Sequence, residues 1–257
     1  MFRKTMTVLA VLAVFALPAA ADTTLEDILA THLESKGGMK AIKAIESLRI
    51  EGSITQGPGM EFALQMELVR PTSMRMEFTV QGMTGIQAYD GETGWQVMPF
   101  AGAPEPQKVT GAELDRFIDQ ADFDGPLIGF EEKGDTVEYL GTEEVDGTEA
   151  YKVKLTKKSG DESVYFLDTE RCLEIKSRTK TTMQGMDLEI DVNYSDYKEV
   201  AGVMMWHSMT QAAAGTPMNS SVTFNKIEAN VDIAADRFKF PERDAAPEPA
   251  AEKANGE

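Results

Sequence analysis

The sequence predicts an α+β protein in which about ten or eleven antiparallel strands form one large, curled sheet that about three helices cover. The first observation is that apolar residues recur at every second position over most of the chain, as in strands with one apolar face. The second is that three segments carry apolar residues at the spacing of an amphipathic helix. A sheet of this size tends to curl because strand twist accumulates, and its apolar face must be covered.

The N-terminal segment has the layout of a secretory signal peptide. Arg3 and Lys4 precede an apolar run, and Pro18 and three alanines follow it. The run has about a dozen residues, whereas a spanning helix needs roughly 20. We therefore interpret residues 1–21 as a cleaved signal peptide, with a retained membrane anchor as the alternative.

The charge and the cysteine content exclude several classes of function. The formal net charge is -18, and loss of Arg3 and Lys4 with the signal makes it -20. Nucleic acid and anionic membrane surfaces repel such a chain, so no nucleic-acid partner is expected. Cys172 is the only cysteine, which excludes an intrachain disulfide and a cysteine-based zinc cluster.

Three segments are predicted to be helices. The first begins at Thr23, which is expected to form a capping box with Glu26, and ends at Gly37. The second is short and follows directly. The third comes after the Pro-rich segment 101–107, which is expected to be a loop. The apolar stripes are Leu25, Ile28, Leu29, His32 and Leu33; Met39, Ile42 and Ile45; and Leu114, Phe117, Ile118 and Ala121.

Strands are predicted wherever apolar and polar residues alternate, first from Leu48 to about Met98 and again from Val137 onward. Turn signals separate them at 56–59, 71, 90–94, 146–147, 159–161 and 201–202. These elements make one folded domain, residues 22–241. The remaining residues, 242–257, form a polar Pro/Ala/Glu tail that is expected to be disordered.

The sequence contains no G-x-S-x-G elbow, no H-E-x-x-H motif, no P-loop and no Gly-rich dinucleotide-binding turn. Ser/His/Asp catalysis would need His32 or His207, the two histidines, as its base. His32 lies on a helical apolar stripe, so a buried, hydrogen-bonded structural histidine is expected there. The acidic residues alternate onto the polar strand face, where solvation is their ordinary role. The chain is therefore not expected to be an enzyme, and a hydrolase built on dispersed carboxylates is an alternative without a motif.

A soft-metal site is a second alternative, in the segment GVMMWHSM. In one continuous strand Met205, His207 and Met209 share a face, and thioether and imidazole groups suit Cu(I). The same residues also continue the apolar pattern of the sheet, so core or pocket lining is their expected role. No cofactor is otherwise expected.

Several segments resemble the LolA-like family of outer-membrane lipoprotein-sorting proteins. The matching pieces are KGGMKAIKAIESLRIEG, RPTSMRMEFTVQGMTGIQAYDGETGWQVMPF and DQADFDGPL, extended by DYKEVAGVMMWHSM and NVDIAADRFKFP. The resemblance implies an unclosed half-barrel, in which a strongly curved antiparallel sheet wraps around helices with an apolar cavity between them. It also implies a periplasmic carrier of lipoprotein acyl chains or other lipids, with a membrane donor or acceptor as a possible partner.

The residues themselves agree with a lipid site. Burial of an acyl chain contributes about 0.8 kcal/mol per methylene, and methionine side chains re-pack around guests of different shape. The alternative is that the same residues are core, packed against the helices. The predicted lining of the cavity is Leu64, Met66, Met74, Met76, Phe78, Trp95, Leu188 and Ile190.

Overall fold

A computed structural model describes residues 23–57, 59–183, 186–213 and 219–241, and of 181–183, 186 and 187 it describes the backbone alone. The predicted signal peptide and the predicted tail lie outside these residues. Within the described ranges, every helix is too short or too polar to cross a membrane.

Antiparallel strands dominate the described part of the chain, as expected. They are β1 (Ser47–Gln56), β2 (Met60–Val69), β3 (Ser73–Val80), β4 (Met83–Tyr89), β5 (Gly94–Met98), β6 (Ala103–Lys108), β7 (Thr136–Val145), β8 (Thr148–Thr156), β9 (Glu162–Asp168), β10 (Glu174–Met183), β11 (Met186–Ser195), β12 (Lys198–Val200), β13 (Val203–Met205), β14 (Ser208–Ala213) and β15 (Asn219–Ala229). Among the described residues, β12 and β13 form a separate hairpin and the other thirteen strands form one sheet.

The sheet is open, and its two halves meet in the middle. The strand order is β6-β5-β4-β3-β2-β1-β15-β14-β11-β10-β9-β8-β7. The last strand therefore pairs with the first, from Leu48 opposite Ala229 to Gln56 opposite Ser220. In the described part of the chain, β6 and β7 have one neighbour each and do not pair with each other. This confirms the predicted open antiparallel sheet.

The sheet has more strands than the sequence pattern indicated. The Pro-rich segment 101–107 was expected to be a loop, and that prediction is wrong: Ala103–Lys108 is β6, paired with β5 alone. An edge strand tolerates proline because one of its sides needs no N–H donors. Pro104 and Pro106 thus mark the end of the sheet rather than an interruption of it.

The described part of the chain forms four α-helices, one more than expected. They are α1 (Leu25–Ser35), α2 (Gly38–Lys43), α3 (Ala112–Ala121) and the single turn α4 (Phe130–Lys133). The capping box of α1 is formed by Thr24 and Asp27, one residue later than predicted. On α3, Phe117 and Ala121 are buried as expected, whereas Ile118 is 40% exposed and does not face the sheet.

The helices define the inner face of the sheet, and they cover only parts of it. Ile28 of α1 packs with Val153 and Leu155 in one core cluster. Ile42 of α2 and Phe117 of α3 pack with strand residues of a second cluster. The residues of the thirteen-stranded sheet in that second cluster are Leu48, Ile50, Leu64, Leu68, Met74, Tyr89 and Phe224. We call the face that carries these residues the inner face, and the other the outer face.

A C-terminal strap, residues 230–241, crosses the outer face. Trp95 Nε1 donates a hydrogen bond to the Phe238 carbonyl at 2.8 Å, and Arg75 donates one to the Arg237 carbonyl at 2.9 Å. The Phe238 ring is 2% exposed, and Phe240 meets the Trp95 indole edge-on at 6.2 Å. The strap therefore ties together β3 and β5, which lie on the same side of β1.

Candidate functional site on the inner face

The strand register assigns every described strand residue to one face. Ile50 lies opposite Met66, which lies opposite Met76, so these three side chains share the inner face. Their chain neighbours Arg49 and Glu67 lie opposite each other on the outer face. Because side chains alternate along a strand, this register can be followed across the whole sheet.

The two faces differ sharply in charge. On β1–β5, β9, β11, β14 and β15, every described inner-face position carries an uncharged residue. The outer-face positions of the same strands and of β10 include Arg49, Glu51, Glu61, Glu67, Arg75, Glu77, Lys176, Arg178, Lys180, Glu189, Asp191, Lys226 and Glu228. In a chain with a net charge of -18, this segregation leaves the inner face of these strands uncharged. Glu174 on β10, opposite Leu167, carries a charge on the same face.

Part of this uncharged surface is not covered by the helices. On six neighbouring strands, apolar inner-face side chains are only half-buried, and we call them the inner groove. They are Ile54, Phe62, Phe78, Leu188, Ile190, Val192, Met209 and Val222. At the hairpin ends beside the groove, Met60 is 55% exposed and Met83 is 40% exposed. The groove is therefore an open apolar surface rather than a sealed chamber.

Hydroxyl and amide groups lie on the inner face beside the groove, on β9 and β10, and within it on β14. Ser163 and Thr179 are hydrogen-bonded through their hydroxyls at 2.8 Å, and Ser177 bonds the Tyr194 hydroxyl at 3.0 Å. Gln211 is half-buried on β14, between Val192 and Ser220. These groups give the surface neutral donors and acceptors without adding charge.

The structure separates the predicted lining residues into three groups. Met66, Met76, Phe78, Leu188 and Ile190 lie half-buried on the inner face. Leu64 and Met74 also face inward, but at 3% and 0% exposure they belong to the closed core.

Trp95 lies on the opposite face from the rest of the predicted lining. It pairs with Ala88, which pairs with Arg75, and its indole is covered by the C-terminal strap. Trp95 was predicted to line the cavity because of its residue type. The face on which a residue lies after two turns depends on the lengths of those turns. Trp95 is therefore not part of the inner-face lining.

The alternative metal residues do not lie on one strand. The chain leaves β13 at Met205 and begins β14 at Ser208, so the prediction of a continuous strand through His207 was wrong. The backbone N–H of His207 donates to the Ser195 and Asp196 carbonyls, and its Nδ1 lies 3.0 Å from the Met205 carbonyl oxygen. Met209 instead points along the inner face beside Val222. Among the described residues, no group of three His, Cys, Asp or Glu side chains is arranged for a metal.

A buried charged cluster, which the sequence pattern did not reveal, anchors α1. Glu174 Oε1 lies 3.8 Å from Lys36 Nζ and 3.6 Å from His32 Nε2, and Tyr197 donates a hydrogen bond to the same carboxylate. Burial by itself raises the pKa of Glu174, but the charges of Lys36 and His32 outweigh it and hold that pKa below its usual range.

His32 is the buried, hydrogen-bonded residue that its helical stripe predicted. It is 1% exposed, and its Nδ1 donates to the Cys172 carbonyl at 2.8 Å, since a carbonyl can only accept. Burial raises the pKa of the Cys172 thiol to about 11, so that thiol stays protonated at neutral pH. These groups are therefore arranged to hold the fold together.

A second buried network joins α2 to the segment before α4. The Arg70 guanidinium donates to the Ile45 carbonyl at 2.7 Å and to the Ile42 carbonyl at 2.9 Å, and it pairs with Asp124. Lys43 reaches the same carboxylate at 2.7 Å. Burial by itself raises the pKa of Asp124, and the two cations lower it below its usual range. The charges of Arg70, Lys43 and Asp124 are thus engaged with one another.

The outer face carries a polar recess of about 180 Å³ beneath the strap. It contains as many acids as arginines, and two of its three acids form ion pairs: Glu67 with Arg49 at 3.2 Å and Glu77 with Arg75 at 2.7 Å. Arg237 from the strap bonds both acids. Because its charges balance, the recess offers no net charge to a ligand, and it acts as an attachment for the strap.

Comparison with known proteins identifies the fold. No family model and no curated protein matches the sequence. Among solved structures, a LolA superfamily protein from Nitrosomonas europaea is similar with a TM-score of 0.59 and 15% identity, over 84% of this chain and 98% of that one. A DUF1329 family protein from Desulfovibrio piger gives 0.57 and 12%, over 84% and 97%. A domain from Vibrio parahaemolyticus named for outer membrane lipoprotein sorting gives 0.53 and 12%, over 82% and 97%.

These comparisons confirm the predicted resemblance at the level of the fold. The similarity extends over nearly the full length of each matching structure. This chain therefore shares its overall fold with these three structures.

Proposed function

We propose that this protein is a periplasmic carrier that holds the hydrocarbon chains of lipids or lipoproteins on its inner groove. One observation carries the proposal: the inner-face positions of the six groove strands are uncharged and the groove side chains are only half-buried, although the chain as a whole is strongly acidic. A surface without charges is poorly solvated, and contiguous apolar surface of this kind is typical of a binding site.

The energetics of the groove suit an acyl chain. Burial of about a dozen methylenes contributes on the order of 10 kcal/mol at about 0.8 kcal/mol each. The entropy lost when the ligand and the side chains are immobilised offsets several kcal/mol of this favourable free energy, and the remainder is the net affinity. Binding of this kind needs shape and apolar contact only, so no catalytic group is required.

The position of the groove suits loading and release. Met60 and Met83 are exposed at the hairpin ends beside it, and Met209 lies within it. Methionine is flexible and polarisable, so these side chains adjust to chains of different length and branching. An open groove also lets a chain enter from the side without unfolding of α1 or α3.

Two further features support a role in lipid transport outside the cytoplasm. The predicted signal peptide directs the chain to the periplasm. The fold is shared with a domain named for outer membrane lipoprotein sorting. A membrane donor and a membrane acceptor are the partners that such a carrier requires.

The proposal is tested with a fluorescent apolar probe. N-phenylnaphthylamine, which brightens in apolar sites, is titrated into the protein after removal of co-purified lipid. We expect saturable brightening that Val222→Asp abolishes, because the new carboxylate lies in the middle of the groove. The matched control is Thr223→Asp, which adds the same charge at the next residue on the outer face.

Thermal unfolding of both variants separates a binding defect from a folding defect. If Val222→Asp and Thr223→Asp bind the probe equally well while both remain folded, the groove is not the site. Absence of any saturable binding in the wild-type protein would remove the proposal altogether. Native mass spectrometry of protein purified from the periplasm is the complementary measurement, and acyl-bearing species are expected.

A further inference from the structure

The inner groove lacks a partner for a charged head group. The described inner-face positions of the six groove strands are uncharged, from Phe78 on β3 to Ile190 on β11. The cations that pack between the helices and the sheet are already paired: the buried Lys36 with Glu174, and the half-buried Arg70 and the exposed Lys43 with Asp124. A carboxylate drawn into the groove would therefore meet no free cation among the described residues.

The polar groups that the groove does offer are neutral. The Gln211 side chain is half-buried between Val192 and Ser220. The hydroxyls of Ser163 and Thr179 lie further along the same face. Such groups satisfy an ester, ether or hydroxyl oxygen, and they are too weak to offset the desolvation of an ionised group.

From these observations, and resting on the function proposed above, we infer that the groove selects lipids that are uncharged along their buried length. The class is ester-linked acyl chains or ether-linked alkyl chains, such as those of acylglycerols, and it excludes free fatty acids. The net charge of -18 acts in the same direction, because it disfavours approach of an anion.

The test compares two probes that share one chain and differ in charge. Monolaurin and laurate are each used, below their aggregation limits and at about pH 8 where laurate is ionised, to displace N-phenylnaphthylamine from the wild-type protein. We expect monolaurin to displace the dye at a concentration roughly tenfold or more below that of laurate, because the buried carboxylate lacks a partner.

A charge-insertion variant separates selection by charge from a simple difference in hydrophobicity. Gln211→Lys places a cation inside the groove, and we expect it to improve displacement by laurate roughly fivefold or more while monolaurin gains nothing. The matched control is Thr210→Lys, which adds the same charge at the preceding, exposed residue on the outer face. It is expected to leave the ratio of the two probes unchanged.

The outcomes are distinguishable. Equal displacement by monolaurin and laurate overturns the inference while the carrier function stands. The inference also fails if folded Gln211→Lys shows no selective gain for laurate, or if Thr210→Lys shows the same gain. Failure of the dye to bind the wild-type protein in a saturable manner removes the carrier function itself.

Discussion

Replacement of Glu174 by glutamine is expected to destabilise the protein by about 3–5 kcal/mol, the usual cost of leaving one member of a buried ion pair without its partner. Glu174 is 6% exposed and Lys36 is 8% exposed, so water cannot take the place of the lost charge. The Nζ–Oε1 separation of 3.8 Å is too long for a hydrogen bond, and the attraction is electrostatic. At this separation, an effective dielectric constant of about 20 gives roughly 4 kcal/mol, which is consistent with that range.

Urea unfolding at neutral pH, followed by circular dichroism, measures the change. Glu34→Gln is the matched control, because Glu34 is exposed on the same helix, and its effect should stay within about 0.5 kcal/mol. The double variant Lys36→Met with Glu174→Gln should lose less than the sum of the single losses, since it leaves no charge unpaired. A loss below about 1 kcal/mol for Glu174→Gln, with additive double-variant energies, would refute the assignment of this cluster as a buried ion pair.

Three further outcomes are expected. The pKa of Glu174 is lowered in the folded state, so the stabilisation that its carboxylate contributes is complete above the unfolded-state pKa of about 4.3 and is lost as the pH falls through the folded-state pKa. Glu174→Gln should therefore flatten the acid limb of a stability–pH profile. Trp95→Ala should cost about 3–5 kcal/mol in urea unfolding, because it empties a buried site beneath the strap and removes the bond to Phe238, whereas wild-type stability would contradict the packing of the strap. Gly52→Ala should lower the melting temperature, because its Cβ would lie 2.2 Å from the Thr223 carbonyl oxygen, and an unchanged melting temperature would show that the β1–β15 bulge is pliable.

The local pattern of the chain was sufficient to predict the sheet but not its full extent. Alternation between Met74 and Val80 identified β3 and its inner face, because side-chain direction follows directly from a period of two. Two prolines concealed β6, because sequence pattern alone does not tell an edge strand from a loop. The break at His207 was missed for a related reason: the backbone bonds from its N–H to Ser195 and Asp196 depend on a neighbouring strand.

The candidate site was predicted in part. Phe78, Leu188 and Ile190 were assigned to the lining from alternation, and they do lie half-buried on the inner face. Trp95 was assigned from its residue type, but after the two preceding turns its side chain lies on the outer face. The pairing of Glu174 with Lys36 joins residues that are distant in the chain, so no local signal pointed to it. Contacts of that kind depend on the strand order, which periodicity does not encode.

The pairing of β1 with β15 also has a consequence for how the molecule is made. Leu48 and Ala229 are neighbours in space, although nearly the whole domain separates them along the chain. Each flanking set of hairpins can assemble from local contacts, but the central seam must wait for the last strand to emerge. Until then, β1 presents an unpaired apolar edge that attracts other chains. The β1–β15 pairing therefore forms late in folding. A product truncated before β15 should aggregate rather than accumulate as a smaller folded unit.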